Sequence, residues 1–352
     1  MAAAMAFLGP AGPMTGILRR LLGERSRQRM RWARGHPAVW IAAAAVVALV
    51  VILGWPASRH RLEIIIGPDT VTVVAAGDMA CDPDDPDLHR ATKAQGDRCR
   101  QQSVSDIAVA LDPDYLLALG DLQYEMPTAA AYRTVYGPSF GRLRARTVPV
   151  YGNQEYKVQD AASFTAYFGD RIQDTRGYWS QEIGRWHLVV LNSNCSAVTG
   201  GCGAGSPQQS WLDADLTAAG SRCVIAAWHH PRWSTGIAGP DRRTQELFGT
   251  LHRHRVDLLL SGHEADYQRF GPLNGNGAAD RTGVRQFVVG TGGQAHYRPE
   301  GTAATGAPAG EFADYDHHGV LALTLRPESY TWAFHPLEAA QDVEDEGEAR
   351  CH

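Results

Sequence analysis

The chain has 352 residues, of which 44% are hydrophobic and 20% charged, and its formal net charge is −5. This is the composition of an ordinary globular protein, and the length allows one large domain or two smaller ones. Because the net charge is negative and no basic stripe runs through the body of the chain, we expect no nucleic-acid partner.

An apolar, uncharged stretch covers residues 38–57. About 20 such residues make roughly 30 Å of helix, enough to cross a bilayer once. Seven arginines precede the stretch and only two follow closely, so the positive-inside rule places the N-terminus in the cytoplasm and the rest of the chain outside. We predict a cytoplasmic Arg-rich segment (1–37), a single-pass transmembrane signal-anchor helix in the cell membrane (38–57) and a spacer (58–70). The alternative is a signal peptide that is cleaved from a secreted protein.

Six cysteines follow the apolar stretch. An even number in an exported chain indicates a disulfide framework, although six cysteines allow fifteen pairings and the sequence does not decide among them. We favour the two pairs that close short loops, which leaves the third pair to hold the C-terminus. The alternative, a zinc site, is disfavoured because no C-x-x-C occurs. The favoured pairs are Cys81–Cys99, Cys195–Cys202 and Cys223–Cys351.

Strand and helix patterns alternate from Val71 to about Pro336. Such uniformly apolar runs are typical of strands that are buried on both faces. We therefore predict one α/β domain over residues 71–340, followed by an acidic, solvated C-terminal tail over 341–352. The predicted strands are 71–77, 114–119, 147–151, 186–192, 223–228, 256–261, 285–290, 319–325 and 330–334, and the predicted helices include 100–111, 207–219 and 243–255.

Side chains of metal-ligand type follow five of these strands. Ligands of open α/β sheets bind at the carboxyl ends of the strands, so we expect these side chains to gather at one edge. Two aspartates, an asparagine and two histidines suit Fe, Mn or Zn better than Ca, which prefers oxygen alone. The residues are Asp78, Asp121, Asn153, His229 and His263.

Five motifs, in this order, resemble those of the calcineurin-like metallophosphoesterase superfamily, and most closely its purple-acid-phosphatase-like branch. The resemblance implies a four-layer α/β/β/α sandwich. The transmembrane helix predicted from residues 38–57 would precede this sandwich at the N-terminus. The resemblance further implies a dinuclear metal centre that pairs Fe with Zn, Mn or a second Fe, with one bound metal as the alternative. The motifs are GDMA (77–80), GDLQY (120–124), GNQEY (152–156), WHHP (228–231) and GHEADYQR (262–269).

The resemblance also implies a role for each matching residue. Asp121 would bridge both metals, and Asp78 and Tyr124 would bind the first, where a phenolate favours Fe(III). The ligands of the second metal would be Asp121, Asn153, His229 and His263.

Two positions depart from the family pattern. Gln154 stands where the family has a substrate-facing histidine, and Ala265 where it has a histidine that binds the first metal. Losing an acid–base group typically costs about 10²–10⁴ in rate, although an amide still donates a hydrogen bond. We assign catalytic roles to Gln154 and His230. Glu264 or Asp266 is an alternative replacement for the lost ligand.

The function that the sequence indicates is metal-dependent hydrolysis of phosphate monoesters, or of diesters, outside the cytoplasmic membrane and with reduced activity. The substrate would be a phosphorylated small molecule. The alternative is a catalytically degenerate relative that binds a phosphorylated ligand or partner without turnover.

Overall fold

The computed structural model of the chain describes residues 69–88, 98–220, 222–299, 306–338 and 343–352. The predicted cytoplasmic segment, the predicted transmembrane helix and nearly all of the predicted spacer lie outside these residues. Within the part that is described, no helix is both long enough and apolar enough to cross a membrane.

Thirteen strands and five α-helices make up the regular structure of these residues. The strands are β1 (Val71–Ala76), β2 (Tyr115–Ala118), β3 (Thr147–Pro149), β4 (Trp179–Ile183), β5 (Trp186–Val190), β6 (Val224–Ala227), β7 (Leu258–Ser261), β8 (Tyr267–Leu273), β9 (Val284–Val289), β10 (Phe312–Asp314), β11 (Gly319–Arg326), β12 (Ser329–Pro336) and β13 (Glu346–Arg350). The α-helices are α1 (Gln101–Ala110), α2 (Ala129–Ala131), α3 (Ala162–Phe168), α4 (Pro207–Ala219) and α5 (Gln245–Arg253). A π-helical turn spans Tyr132–Tyr136, and 3₁₀ turns span Phe140–Arg146, Glu155–Lys157, Gln159–Ala161, Gly169–Arg171 and Arg242–Thr244.

The strands form two mixed sheets. The first has six strands in the order β13–β12–β11–β1–β2–β3, and the second has seven in the order β10–β8–β9–β7–β6–β5–β4. In the first sheet β1, β2 and β3 are parallel, and in the second β5, β6, β7 and β9 are parallel. The remaining pairs are antiparallel, among them the predicted hairpin of β11 and β12, which pairs Arg326 with Ser329.

The two sheets pack face to face, because one continuous buried cluster contains side chains from both of them. Successive residues of the second sheet point to opposite sides, as the pleat requires. Leu188 of β5 belongs to the core between the sheets, whereas the next residue, Val189, packs in a second core together with Leu216 of α4 and Leu251 of α5. The second sheet is therefore buried on both faces, as its apolar runs predicted.

Helix α4 illustrates how local sequence sets the bounds of an element. The Ser206 side chain accepts a hydrogen bond from the Gln209 backbone N–H, and Pro207 occupies the first turn, where its missing N–H has no intrahelical partner to lose. The helix ends before Gly220, whose φ is +71°. Glycine adopts this left-handed conformation without the steric cost that a Cβ would bring.

Three disulfides join the six cysteines in the pairs that the sequence analysis favoured. They are Cys81–Cys99, Cys195–Cys202 and Cys223–Cys351, with sequence separations of 18, 7 and 128 residues. No cysteine among the described residues remains free, so the alternative of a cysteine zinc site is wrong.

The predicted solvated tail over 341–352 is wrong for its second half. Residues Glu346–Arg350 form β13, which pairs antiparallel with β12 at the edge of the first sheet. The strand carries charged and small side chains that alternate between exposed and partly buried, so it lacks an apolar run. Pairing with β12 and the disulfide from Cys223 to Cys351 hold it instead. The domain therefore continues past residue 340.

Candidate metal centre

The predicted ligand residues lie on loops that follow parallel strands at one edge of the two sheets. Since β1 to β3 are parallel in the first sheet, and β6 and β7 are parallel in the second, each group of strands presents its carboxyl ends together. The residues are Asp78 after β1, Asp121 and Tyr124 after β2, Asn153 after β3, His229 after β6 and His263 after β7.

Asp78, Asp121 and Tyr124 meet at the phenol of Tyr124. The Tyr124 hydroxyl lies 2.7 Å from Asp78 Oδ1 and 2.9 Å from Asp121 Oδ2. Both aspartates are almost fully buried, at 3% and 2% exposed. The structure thus brings together the three residues that the sequence assigned to the first metal.

The second group centres on His229 Nε2. This nitrogen lies 3.2 Å from Asn153 Oδ1, 3.2 Å from His263 Nδ1 and 3.3 Å from Asp121 Oδ1. Asp121 therefore belongs to both groups, with Oδ2 facing the first and Oδ1 facing the second. This is the position that a carboxylate bridging two cations must take.

The loops reach these positions through unusual backbone conformations. Asp78, Asp121 and His263 have φ values of +55°, +53° and +73°, a left-handed region that non-glycine residues seldom occupy and that is common at functional sites. Gly120 has φ of +87°, and a Cβ there would lie 2.6 Å from His229 Nδ1. A Cβ at Gly152 would lie 2.2 Å from Asp121 Oδ1. Both glycines are therefore required for the close approach of the loops.

Glu155 is a site residue to which the sequence analysis gave no role. Its carboxylate accepts hydrogen bonds from the backbone N–H groups of Asp121 at 2.9 Å, Leu122 at 2.9 Å and Gly152 at 2.7 Å, and from the Tyr132 hydroxyl at 3.1 Å. It thus joins the loop after β2 to the loop after β3. Its place in the motif GNQEY was the signal that could have revealed it.

Burial and the charges of neighbouring side chains set the pKa values of the site. Burial raises the pKa of Asp78 to about 8. The charge of His229 lowers this pKa, and the charge of Asp121 raises it. Burial alone lowers the pKa of His229, but the Asp121 carboxylate outweighs it and raises the pKa to about 9. Burial, together with the charges of both aspartates, raises the pKa of Tyr124 well above its usual value.

These residues fit a metal centre. Two buried carboxylates and a phenol within hydrogen-bonding distance of one another repel when ionised, and a cation between them would stabilise the ionised forms. His229 Nδ1 contacts the Leu119 carbonyl oxygen at 2.8 Å, which orients Nε2 towards the site as in most metal-binding histidines. The mixed oxygen and nitrogen donors suit Fe, Mn or Zn.

The two positions that depart from the family pattern line a cavity of about 210 Å³ above this site. The Gln154 backbone N–H donates to Asp121 Oδ1 at 2.8 Å. Its side-chain Oε1 is buried and has no hydrogen-bond partner among the described residues. Ala265 is 5% exposed, and its methyl group offers no donor for a metal.

Glu264 and Asp266 do not occupy the place of the missing ligand. The Glu264 carboxylate accepts from Ser234 Oγ at 2.8 Å and from the Gly239 backbone N–H at 2.9 Å. Asp266 accepts from the Gln268 side-chain amide at 2.8 Å. Both carboxylates are buried and help to hold the 234–239 loop and the start of β8.

His230 lies within the site but not at its cavity. The side chain is buried, at 4% exposed, and does not line the cavity that Gln154 lines. Its Nδ1 lies 2.8 Å from Ser193 Oγ, and its ring centroid lies 4.3 Å from that of His263. The structure therefore places His230, for which a catalytic role is predicted, next to the other imidazoles and away from the cavity.

Comparisons with known proteins indicate the family of the chain. The family model described as Calcineurin-like phosphoesterase matches residues 63–267. Purple acid phosphatase 21 of Arabidopsis thaliana is 27% identical over 247 residues, which cover 64% of this chain and 54% of that protein. Purple acid phosphatase 22 of the same plant is 26% identical over 251 residues, with the same coverage. The chain thus spans about half the length of these curated relatives.

Two solved structures share the fold. Purple acid phosphatase PPD1 from yellow lupin (Lupinus luteus) seeds superposes with a TM-score of 0.57 at 16% identity, covering 79% of this chain and 53% of that one. GAP50, the anchor in the inner membrane complex of Plasmodium, superposes with a TM-score of 0.58 at 12% identity, covering 80% and 89%. With the family model matching more than half of its residues, the chain belongs to the calcineurin-like phosphoesterase family.

Proposed function

We propose that the chain is a metal-dependent phosphoesterase of purple-acid-phosphatase type, which hydrolyses phosphate monoesters of small molecules with a weakened site. The observation that carries this proposal is the position of Asp121 between two groups of donors, one on each carboxylate oxygen. Metal ions held there would supply Lewis-acid activation of water and of the phosphoryl group.

The residues that hold the metals follow from the two groups. Asp78, Tyr124 and Asp121 would bind the first metal, and Asp121 would bind the second together with Asn153, His229 and His263. Without a histidine at position 265 the first metal has one nitrogen donor fewer, so we expect the first metal to bind more weakly than the second. Iron at the first position and zinc, manganese or iron at the second suit these donors.

The chain's own side chains position the substrate in the cavity. Gln154 lines the cavity, and its backbone N–H holds it beside Asp121 Oδ1, so its side-chain amide would donate a hydrogen bond to a phosphoryl oxygen there. An amide has no proton to give to a leaving group, because it is not an acid near neutral pH. Catalysis should therefore be best for esters whose leaving group departs without protonation, such as aryl phosphates.

A second candidate function is binding of a phosphorylated ligand without turnover. The replacement of the two family histidines by Gln154 and Ala265 favours it. The fold does not choose between the two functions, since it is found both in a phosphatase from lupin and in the protein described as an anchor in Plasmodium.

A metal and turnover assay separates the two functions. The full-length chain is loaded with Fe and Zn or Mn, metal per chain is measured, and p-nitrophenyl phosphate and its bis-ester are assayed. Asp121→Asn should reduce kcat/KM at least about 100-fold, and the exposed Asp106→Asn should leave it unchanged. Metal binding with no turnover in any metal combination would contradict the phosphoesterase function and favour binding of a phosphorylated ligand without turnover.

We also propose that the domain lies outside the cytoplasmic membrane. The three disulfides support an oxidising compartment, and the arginine asymmetry around residues 38–57 supports anchoring. Protease added to intact cells should degrade the domain while a cytoplasmic control protein survives. The mass of the mature chain then distinguishes an anchored protein from one that is secreted after cleavage.

A further inference from the structure

Three histidines form a compact group at the site. One ring nitrogen from each of His229, His230 and His263 lies within 4.8 Å of the others. The ring centroids are 4.9 Å, 5.0 Å and 4.3 Å apart for the pairs 229–230, 229–263 and 230–263. Two of these imidazoles belong to the proposed second metal, and His230 is an additional nitrogen donor beside them.

His230 is held in the manner of a metal ligand. His229 Nδ1 meets the Leu119 carbonyl oxygen at 2.8 Å, and His230 Nδ1 meets Ser193 Oγ at 2.8 Å. The same Ser193 oxygen accepts the His230 backbone N–H at 2.9 Å, so both main chain and ring are fixed. A metal-binding histidine usually has its second ring nitrogen hydrogen-bonded to an oxygen in this way.

The donor balance of the site also favours His230 as a ligand. Ala265 removes a nitrogen donor from the first metal, whereas His230 adds one next to His229 and His263. Three imidazoles with one further position form a common zinc site, and imidazole suits Zn²⁺ better than hard cations. Asn153 Oδ1 and Asp121 Oδ1 both lie within 3.3 Å of His229 Nε2 and supply the further donor.

We infer that His229, His230 and His263 together form a three-imidazole site that takes one Zn²⁺, with Co²⁺ as its spectroscopic substitute, and binds it more tightly than the Asp78–Tyr124 side of the centre binds a metal. The inference rests on the proposed function only in that this site binds metal. It does not require turnover.

The test measures metal binding by the full-length chain. Metal is removed with a chelator, Zn²⁺ is titrated by calorimetry, and the visible absorption of the Co²⁺ form is recorded. We expect one tight Zn²⁺ per wild-type chain. His230→Ala should weaken that binding at least about tenfold and change the Co²⁺ spectrum. His230→Gln, which keeps side-chain volume and a hydrogen bond to Ser193, should do the same.

His252→Gln is the matched control, because His252 pairs with Asp280 at 2.9 Å and belongs to neither donor group. It should leave the tight Zn²⁺ affinity within about twofold, a change too small to count as a lost ligand. Wild-type affinity and an unchanged Co²⁺ spectrum in both His230 variants would overturn this inference and leave the proposed function standing. A wild-type chain that binds neither metal would overturn both. Thermal unfolding of the metal-free variants checks that they remain folded.

Discussion

The hydroxyl of Tyr124 lies 2.7 Å from Oδ1 of Asp78, so the loop after β2 and the loop after β1 are joined at a single phenol. The residues are 46 positions apart in the chain. Because the phenol also contacts Asp121 at 2.9 Å, one hydroxyl touches both carboxylates of the first group. A donor shared in this way is where a metal ion would exchange with the phenolic proton.

Tyr124→Phe should therefore remove iron from the first group. The variant loses the only phenol that touches both carboxylates among the described residues, and with it the hard anionic donor that favours Fe(III). We expect iron per chain to fall and the visible absorption of an iron–phenolate complex to disappear, as measured by elemental analysis and absorption spectroscopy. Tyr297→Phe, at the exposed rim of the same cavity, should change neither. Retention of the absorption band in Tyr124→Phe would contradict the assignment.

Glu155→Gln should destabilise the fold. The carboxylate accepts four hydrogen bonds, whereas an amide places N–H groups against two of these donors. Hydrogen bonds to a charged group contribute about 1.5–3 kcal/mol. Burial raises the pKa of Glu155 to about 7, so near neutral pH only part of the population carries the charge. We therefore expect the free energy of unfolding, measured by urea denaturation, to fall by about 2 kcal/mol.

The control for Glu155 is the same substitution at Glu125. That residue lies close by but is 56% exposed and pairs with Lys157 at 2.9 Å. Because exposed ion pairs contribute little, Glu125→Gln should change the unfolding free energy by less than about 0.5 kcal/mol. Equal effects of the two substitutions would mean that the four hydrogen bonds of Glu155 do not hold the loops.

Gln154→His should change how the rate depends on the leaving group. With Gln154 the leaving group departs without a proton, so kcat/KM should fall steeply as the pKa of the phenol in a series of aryl phosphates rises. A histidine at this position can give up a proton. We expect the variant to gain about 10²-fold on the poorest leaving groups and little on p-nitrophenyl phosphate. A parallel shift of the whole series would indicate a change in binding and would contradict an acid role for this position.

The sequence predicted most of the sheet structure, because nine strands are apolar runs whose neighbours bury them. It did not predict β4 (WSQEI), β8 (YQRFGPL), β10 (FAD) or β13 (EGEAR). These strands carry polar residues, and all four lie at or beside the edges of sheets, where pairing with a neighbour supplies the stability. Such pairing is set by the tertiary structure and leaves no local apolar pattern.

The same distinction applies to the site. Five of the proposed metal ligands were predictable because they follow buried strands, as Asp78 and His229 do, where a polar side chain stands out against an apolar run. Tyr124 was indicated by the family resemblance alone. The supporting residues Glu155 and Ser193 were not predictable in this way, because their roles consist of hydrogen bonds to loops far away in the chain. For Glu155 the motif GNQEY was a signal in the sequence, whereas Ser193 can be identified only once the loops are seen together.

Stability should depend on pH through His187, far from the site in sequence. Its ring bridges Asp215 at 2.8 Å and Glu182 at 3.0 Å. Burial alone lowers the pKa of His187, but these two carboxylates outweigh it and raise the pKa. Because the pKa is raised, the interaction stabilises the fold fully at pH values below the pKa of histidine in the unfolded chain, about 6.5. This stabilisation is lost as the pH rises through the pKa of His187 in the folded chain.

Asp215 limits the same interaction at low pH. Burial alone raises its pKa, but hydrogen bonds from His187 and Ser180 outweigh burial and lower it, so its contribution is lost as pH falls through that lowered value. His187→Gln should therefore reduce the unfolding free energy more at pH 5 than at pH 8, by urea denaturation with intact disulfides. A difference between variant and wild type that does not change with pH would contradict this account.

The disulfide Cys223–Cys351 should contribute more stability than Cys195–Cys202. In the chain-entropy model the effect of a crosslink on the unfolded state grows with loop length, and the two bonds have separations of 128 and 7 residues. The model gives about 5 kcal/mol for the long loop and about 2 kcal/mol for the short one. Replacing both cysteines of each pair by serine, and comparing unfolding free energies, measures the difference.

The long-range bond also holds β13 on the sheet, and this gives the comparison a second measurement. β13 has no apolar run of its own, so without the bond to Cys223 its pairing with β12 should open locally. We expect faster amide hydrogen exchange and proteolysis at Glu346–Arg350 in the Cys223→Ser/Cys351→Ser variant, and unchanged exchange there in the Cys195→Ser/Cys202→Ser variant. Equal protection of the strand in both variants would mean that the ladder to β12 alone holds it.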